Sequence, residues 1–185
     1  NNLEIKKNNF DIEIYTEKNK DKYKKIIKIN DDMSKENIEF LNESISYLIF
    51  LPEMERLFQS SPSYRRNFLD RLIFSSRGNY NRLINKYKKS LLERIKILQV
   101  NNVDYDWLNQ IEKEISTLGL EIYKLRSSQL NLLNNELKTL NNEHKFLFNV
   151  KLEIKDDYFN NGVNFDTYLS NLRNLRNFDK QYGGT

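Results

Sequence analysis

Residues 79–99 read NYNRLINKYKKSLLERIKILQ, and the spacing of their apolar side chains decides the fold class. Tyr80, Ile84, Tyr87, Leu91, Ile95 and Leu98 recur at intervals of four, three, four, four and three. At about 100° per residue they share one narrow stripe of a helix, whereas a strand would scatter them over both faces. Arg82, Lys86, Lys89 and Lys96 fall on the opposite side, within about 80° of arc. The beat resumes after the short connection Val100–Val103 with Trp107, Ile111, Ile115, Leu118, Ile122, Leu125, Leu133, Leu137 and Leu140. Two antiparallel helices are therefore expected, over roughly 80–98 and 105–142. Gly119 inside the second marks a kink, a close helix contact or simply a tolerated glycine.

Upstream, Ser61-Pro62 is a strong helix start, because Ser caps orphan N–H groups and Pro at the first helical position lacks one. It predicts a helix over about 62–76, ended by Gly78. Phe10, Ile12 and Ile14 alternate at period two, and a Lys-rich turn leads to Tyr23–Ile29, which together read as a hairpin near 10–16 and 23–29. Ser34 N-caps a short helix reaching Leu41, and Ile45–Leu51, ended by Pro52, has the compact apolar run of a buried strand. Downstream, Phe146–Ile154 alternates as a strand, and Asp166–Lys180 fits a last helix. The fold class is α+β: strands and a short helix over 1–60, a helical arm over 61–145, and a return strand and helix over 146–185. Both ends are expected to be cuts, leaving a helical insertion in a sheet whose other strands lie elsewhere.

The composition sets limits on function. At 185 residues with 38% hydrophobic and 30% charged residues, the chain can bury one core. No apolar run approaches the ~20 residues that would span a bilayer, and Asn1-Asn2-Leu3-Glu4 opens no signal peptide, so a cytoplasmic setting without membrane is expected. The absence of cysteine excludes thiol chemistry and cysteine-ligated zinc, and His144 alone makes no histidine ligand set, so no metal site is expected. Beside Lys145, His144 reads as a solvated surface residue. The five glycines (78, 119, 162, 183, 184) never form a phosphate-cradling run. Asp31-Asp32 and Asp156-Asp157 sit in polar turns, and no nucleophile constellation exists, so this stretch has no expected catalytic residue or cofactor. Charge is informative once divided: residues 61–100 hold ten basic side chains against Asp70 and Glu93, while the whole chain carries only +4. One segment is thus fitted to an anionic partner.

Residues 51–70 read LPEMERLFQSSPSYRRNFLD. This string resembles a signature of the RecF family of recombinational repair proteins: a proline-acid pair, two apolar residues, a small-residue-Pro turn, then Arg-Arg-x-aromatic-aliphatic-Asp. The residues carrying it are Pro52, Glu53, Ser61, Pro62, Arg65, Arg66, Phe68, Leu69 and Asp70. Leu83, Tyr87, Lys89, Arg94 and Leu98, then Trp107, resemble the family's following helices, and Arg176, Asp179, Gly183 and Thr185 its approach to a glycine-proline-histidine stretch. Ser60 and Phe58 depart from the pattern, standing where Gly and a smaller aliphatic are usual.

The resemblance implies an arm inserted in the sheet of an ABC-type head of the Rad50 and SMC kind, a cytoplasmic bacterial ATPase. ATP and Mg would be bound by the intact protein, through loops before Asn1 and after Thr185. It implies an ATP-dependent homodimer that binds DNA and helps load RecA at single-strand gaps with RecO and RecR, within the SOS response. Two readings of the residues stay open. Arg65, Arg66, Arg82, Lys86, Lys89 and Lys96 meet DNA phosphates, or Arg66 pairs with Asp70 one turn on and the lysines only solvate a protein scaffold or dimerisation arm that makes no DNA contact. Glu53 either faces the nucleotide site of the intact head or is a surface acid near a helix N-terminus.

Overall fold

The computed structural model describes the chain apart from residues 1, 6–7, 20–21, 35, 38, 40–51, 146, 156–163 and 184–185. It divides into two units, Asn1–Leu48 with Ser75–Gly78, and Ile49–Phe74 with Asn79–Thr185.

In the first unit, β1 (Asn2–Ile5), β2 (Asn8–Asn19) and β3 (Lys22–Ile29) form an antiparallel sheet in that order. The expected hairpin is β2–β3, whose register sets Glu13 opposite Lys28 and Tyr15 opposite Ile26. Its polar pair forms a cross-strand ion pair of 3.8 Å. Beyond β3 the chain turns through Asn30 and Asp31 at φ 50° and 64°, a left-handed conformation that Asn and Asp tolerate better than most residues. Asn30 holds the turn by accepting the Asp11 N–H at 3.0 Å. Ser34 caps as expected, accepting the Asn37 N–H at 3.3 Å, and Glu36, Asn37 and Glu39 are helical. The strand expected over 45–51 lies outside the described residues.

The second unit is helical. A 3-10 helix, Pro52–Gln59, bends at Arg56 and leads into α1 (Pro62–Ser76), α2 (Tyr80–Gln99) and α3 (Tyr105–His144). The expected cap is used, since Ser61 accepts the Tyr64 N–H at 3.3 Å to start α1. Asp104 accepts the Trp107 N–H at 2.9 Å to start α3, and the short connection before it turns the chain back on itself. Ile97 and Leu98 of α2 pack on Leu108, Ile111 and Ile115 of α3, with Tyr168 and Leu172 closing over them. Those last two belong to α4 (Phe165–Asn174), which is followed by α5 (Arg176–Tyr182). At Gly119 the close-contact reading holds, since a Cβ there would lie 2.9 Å from the Tyr168 ring.

Three expectations change. The helix expected over Asp166–Lys180 is broken at Leu175, and beside the break the Leu172 carbonyl accepts from the Arg94 guanidinium at 2.6 Å. The strand expected over 146–154 is absent among the described residues 147–155. Leu152 there exchanges both backbone hydrogen bonds with the side-chain amide of Asn134, at 2.8 and 2.9 Å, in place of a neighbouring strand. The buried stripe of α2 is also turned from its expected line. Tyr80, Ser90, Arg94, Ile97 and Leu98 are buried, whereas Ile84, Tyr87, Leu91 and Ile95 are only half-buried.

Candidate nucleic-acid interface

The six cations nominated by the sequence, Arg65, Arg66, Arg82, Lys86, Lys89 and Lys96, are all exposed. They are not equivalent. Arg65 folds back on the preceding 3-10 helix, donating to the carbonyls of Ser60 at 2.5 Å and Phe58 at 3.3 Å, where a cation also complements the negative helix end. Lys86 lies 2.8 Å from Glu114 of α3. Its hydrogen bond holds the Glu114 carboxyl below the usual carboxylate range, so the acid stays ionised and offsets the lysine. Arg66 lies on the surface of α1, and Arg82, Lys89 and Lys96 follow one another along α2 at intervals of seven residues, about two helical turns.

The signature residues resolve into structural parts. Pro52 and Glu53 open the 3-10 helix, Ser61 and Pro62 start α1, and Phe68 and Leu69 are half-buried. Asp70 does not pair with Arg66. Its two oxygens accept a fork of two 2.8 Å hydrogen bonds from Arg126 of α3, and Oδ1 takes the Tyr80 hydroxyl at 2.7 Å. This bidentate geometry outcompetes an exposed one-turn pair, which would add only ~0.3–0.5 kcal/mol. Burial pushes the Tyr80 phenol well above its ordinary value, and the Asp70 hydrogen bond adds to the shift. Burial pulls Arg126 the other way, yet the hydrogen bonds and charge of Asp70 outweigh it and hold the guanidinium above its ordinary value. Asp70 therefore ties α1 to both arms of the helix pair.

A second charged cluster was not foreseen, and it removes Arg94 from the basic surface. Arg94 is 3% exposed, and its Nε donates to Glu112 at 3.1 Å while Nη1 donates to Asp179 at 2.5 Å. Glu112, fully buried, also accepts from Arg176 at 3.0 and 2.5 Å, and Arg176 reaches Asn109 at 2.6 Å. The Glu112 hydrogen bond raises the Arg176 pKa, partly opposed by burial. Two arginines and two carboxylates thus form one balanced knot between α2, α3 and α5. The sequence did carry a signal for it: Glu112 stands four residues after Leu108 and three before Ile115, and Arg94 three after Leu91 and four before Leu98. Opposite charges placed within facing apolar stripes are a register mark. Among the described residues, no cluster of three or more His, Asp or Glu side chains could hold a metal ion, and no helix is long and apolar enough to cross a membrane.

Comparison with known proteins fits this geometry. The chain is 33% identical over 97 residues to the DNA replication and repair protein RecF of Agrobacterium fabrum, a match covering 52% of this chain and 26% of that protein. It is 31% identical over 97 residues to the RecF protein of Allorhizobium ampelinum, with the same coverage of each chain. A solved structure of the recombination mediator protein RecF-ATPrS in the RecFOR pathway superposes with a TM-score of 0.72 at 25% identity, over 96% of this chain and 48% of that one. A RecF-ATP structure gives 0.68 at 26% identity, over 88% and 45%. Over these residues the chain resembles RecF proteins in both sequence and fold. No family model matches it. The chain spans about half the length of the RecF structures it resembles, and its matches cover about a quarter of the curated relatives. Mostly helical with few strands, it shares their fold over nearly its whole length.

Proposed function

We propose that this chain is the arm-bearing portion of a RecF-like DNA repair ATPase, and that its arm binds the backbone of DNA. In this reading the helix pair emerges between strands of an ABC-type head, with residues 1–60 contributing to the head, residues 61–145 forming the arm and residues 146–185 returning toward the head. The intact protein holds ATP and Mg with residues outside this stretch, dimerises through ATP, works in the cytoplasm, and assists RecO and RecR in placing RecA at single-strand gaps. The observation that carries the DNA-binding reading is the line of Arg82, Lys89 and Lys96, exposed on α2 within about 40° of arc and on the side away from the Glu112 knot. Arg66, released from Asp70 by Arg126, is a fourth cation of the same kind. Phosphates along such a line are neutralised without reading sequence.

The test is duplex-DNA binding by the full-length protein against salt. Three neutralised phosphates give a slope of log affinity on log salt of about −3. Replacing Arg82, Lys89 and Lys96 together by Glu is expected to remove most binding while leaving the fold intact, since exposed substitutions change stability by within about 0.5 kcal/mol. Unchanged affinity and slope would transfer the role to the scaffold reading. One observation favours that second reading: Lys86 and Arg65, two of the nominated cations, are already engaged within the chain.

A further inference from the structure

Toward its C-terminal end α3 carries Asn131, Asn134, Asn135, Asn141 and Asn142, which share about 120° of arc centred near Lys138. Part of this row already holds a segment of the chain. The Asn134 amide accepts the Leu152 N–H at 2.8 Å and donates to the Leu152 carbonyl at 2.9 Å, and Asn141 donates to the Asn149 side chain at 2.8 Å. The spacing suits a strand: seven helical residues advance about 10.5 Å, and three steps of a fully extended chain advance about 10 Å. Asn135 and Asn142 repeat that seven-residue interval one position on, so they present a second pair of amides at the same pitch.

This second pair lines an open groove of about 830 Å³. Two further features define what the groove would take. Asn141 Oδ1, also at the groove, is buried with no hydrogen-bond partner among the described residues, and a buried acceptor of this kind calls for a hydrogen-bond donor. Its lining includes Lys138 and Lys151 and no carboxylate. Lys151 also meets Glu153 at 2.5 Å, so Lys138, at the centre of the asparagine row, is the cation that sets the groove's sign. We propose that this groove binds an extended polypeptide segment with acidic side chains, its backbone gripped by Asn135 and Asn142 as Leu152 is gripped by Asn134. A peptide offers an N–H and a C=O from one residue, which is what a side-chain amide can bond with both of its ends at once. A phosphate backbone offers acceptors only, and would leave Asn141 Oδ1 without its donor.

The experiment uses the full-length protein and three fluorescein-labelled probes: a peptide of about ten residues alternating Val with Asp, its counterpart alternating Val with Lys, and an oligothymidine of matched length. Anisotropy is expected to give at least about tenfold tighter binding of the acidic peptide than of either other probe, a difference of about 1.4 kcal/mol. N135L with N142L, both exposed positions, should weaken the acidic peptide by a similar factor with the circular dichroism unchanged. K138E should weaken the acidic peptide and strengthen the lysine peptide, and K96E, on the basic face, should leave both peptides unaffected. Tighter binding of the oligothymidine, no acidic-peptide binding at about 1 mM, or full binding by the double asparagine variant would each overturn the proposal.

Discussion

Replacing Arg94 by Met keeps an unbranched stem in the core and removes a guanidinium that donates to three groups. Glu112 would retain Arg176, but Asp179 and the Leu172 carbonyl would lose the donors that reach them at 2.5 and 2.6 Å. Asp179 is only 7% exposed, so water cannot readily replace the arginine. Breaking a buried pair from one side costs about 3–5 kcal/mol, mostly because a charge is left buried alone. A domain is stable by about 5–15 kcal/mol in total, so Arg94→Met should weaken the unit severely without abolishing every folded molecule. With a urea dependence of about 2 kcal/mol per molar, the midpoint should fall by roughly 2 M. The assay is urea unfolding followed by circular dichroism and by the fluorescence of Trp107, the single tryptophan of this sequence. Adding Asp179→Leu to Arg94→Met removes the orphaned charge and should recover part of the loss, a pattern that simple truncation of a surface side chain would not produce. A loss below about 1 kcal/mol in the single variant, the worth of an exposed pair, would refute the reading of this knot as a buried clamp on α5.

Other outcomes follow from the same contacts. Asp70→Asn leaves the half-buried Arg126 without its carboxylate and should lower stability by about 3 kcal/mol, whereas Arg66→Gln should stay within about 0.5 kcal/mol; thermal unfolding of the two variants separates the pairings directly. Gly119→Ala gains about 1 kcal/mol of helix propensity, but its Cβ would lie 2.9 Å from the Tyr168 ring. Overpacking of about 1–3 kcal/mol should win, and the same change in a Tyr168→Leu background should be neutral or stabilising. Lys86 lowers the Glu114 pKa on folding, so the stabilisation from this pair is fully present above the unfolded carboxylate value near 4.3 and is lost as pH falls through the lower folded value. A carbon-detected titration placing the Glu114 midpoint at or above about 4.3 would contradict it.

Periodicity made the helix pair legible, because an apolar repeat near 3.6 residues constrains a helix whatever it packs against. The caps at Ser34 and Ser61 were legible too, since capping is decided within a turn of the chain. The elements that departed from expectation are those decided by distant partners. Phe146–Ile154 alternates like a strand, but alternation supplies no neighbour to bond, and Asn134 took the bonds of Leu152 instead. Asp166–Lys180 has a continuous helical pattern, and the interruption at Leu175 sits beside a carbonyl, that of Leu172, bonded by an arginine some eighty residues earlier in the chain. Arg66 and Asp70 have ideal spacing to pair, yet Arg126 offers Asp70 two hydrogen bonds from another helix.

Counting cations on α2 alone overstated its basic face, because a single helix does not reveal the phase of the helix opposite. The hairpin itself provides that phase. Residues about equally far from the connecting loop face one another: Arg94 meets Glu112, Ser90 meets Glu114, and Tyr80 shares Asp70 with Arg126. Extending this register along α2 sets Asn109 and Gln110 level with Lys96, and Ser116 and Thr117 level with Lys89. No carboxylate stands at either of those levels, and Glu114, a little closer to the loop than the Lys89 level, is bonded by Lys86 at 2.8 Å and also feels the charge of Lys89. Glu112 and Glu114 of α3 are matched to Arg94 and Lys86, so the two helices neutralise each other where they touch and keep a surplus of positive charge on the outer line. Charge arranged in this way adds little to holding the hairpin together, and this is the physical basis of the anion-binding role proposed for Lys89 and Lys96.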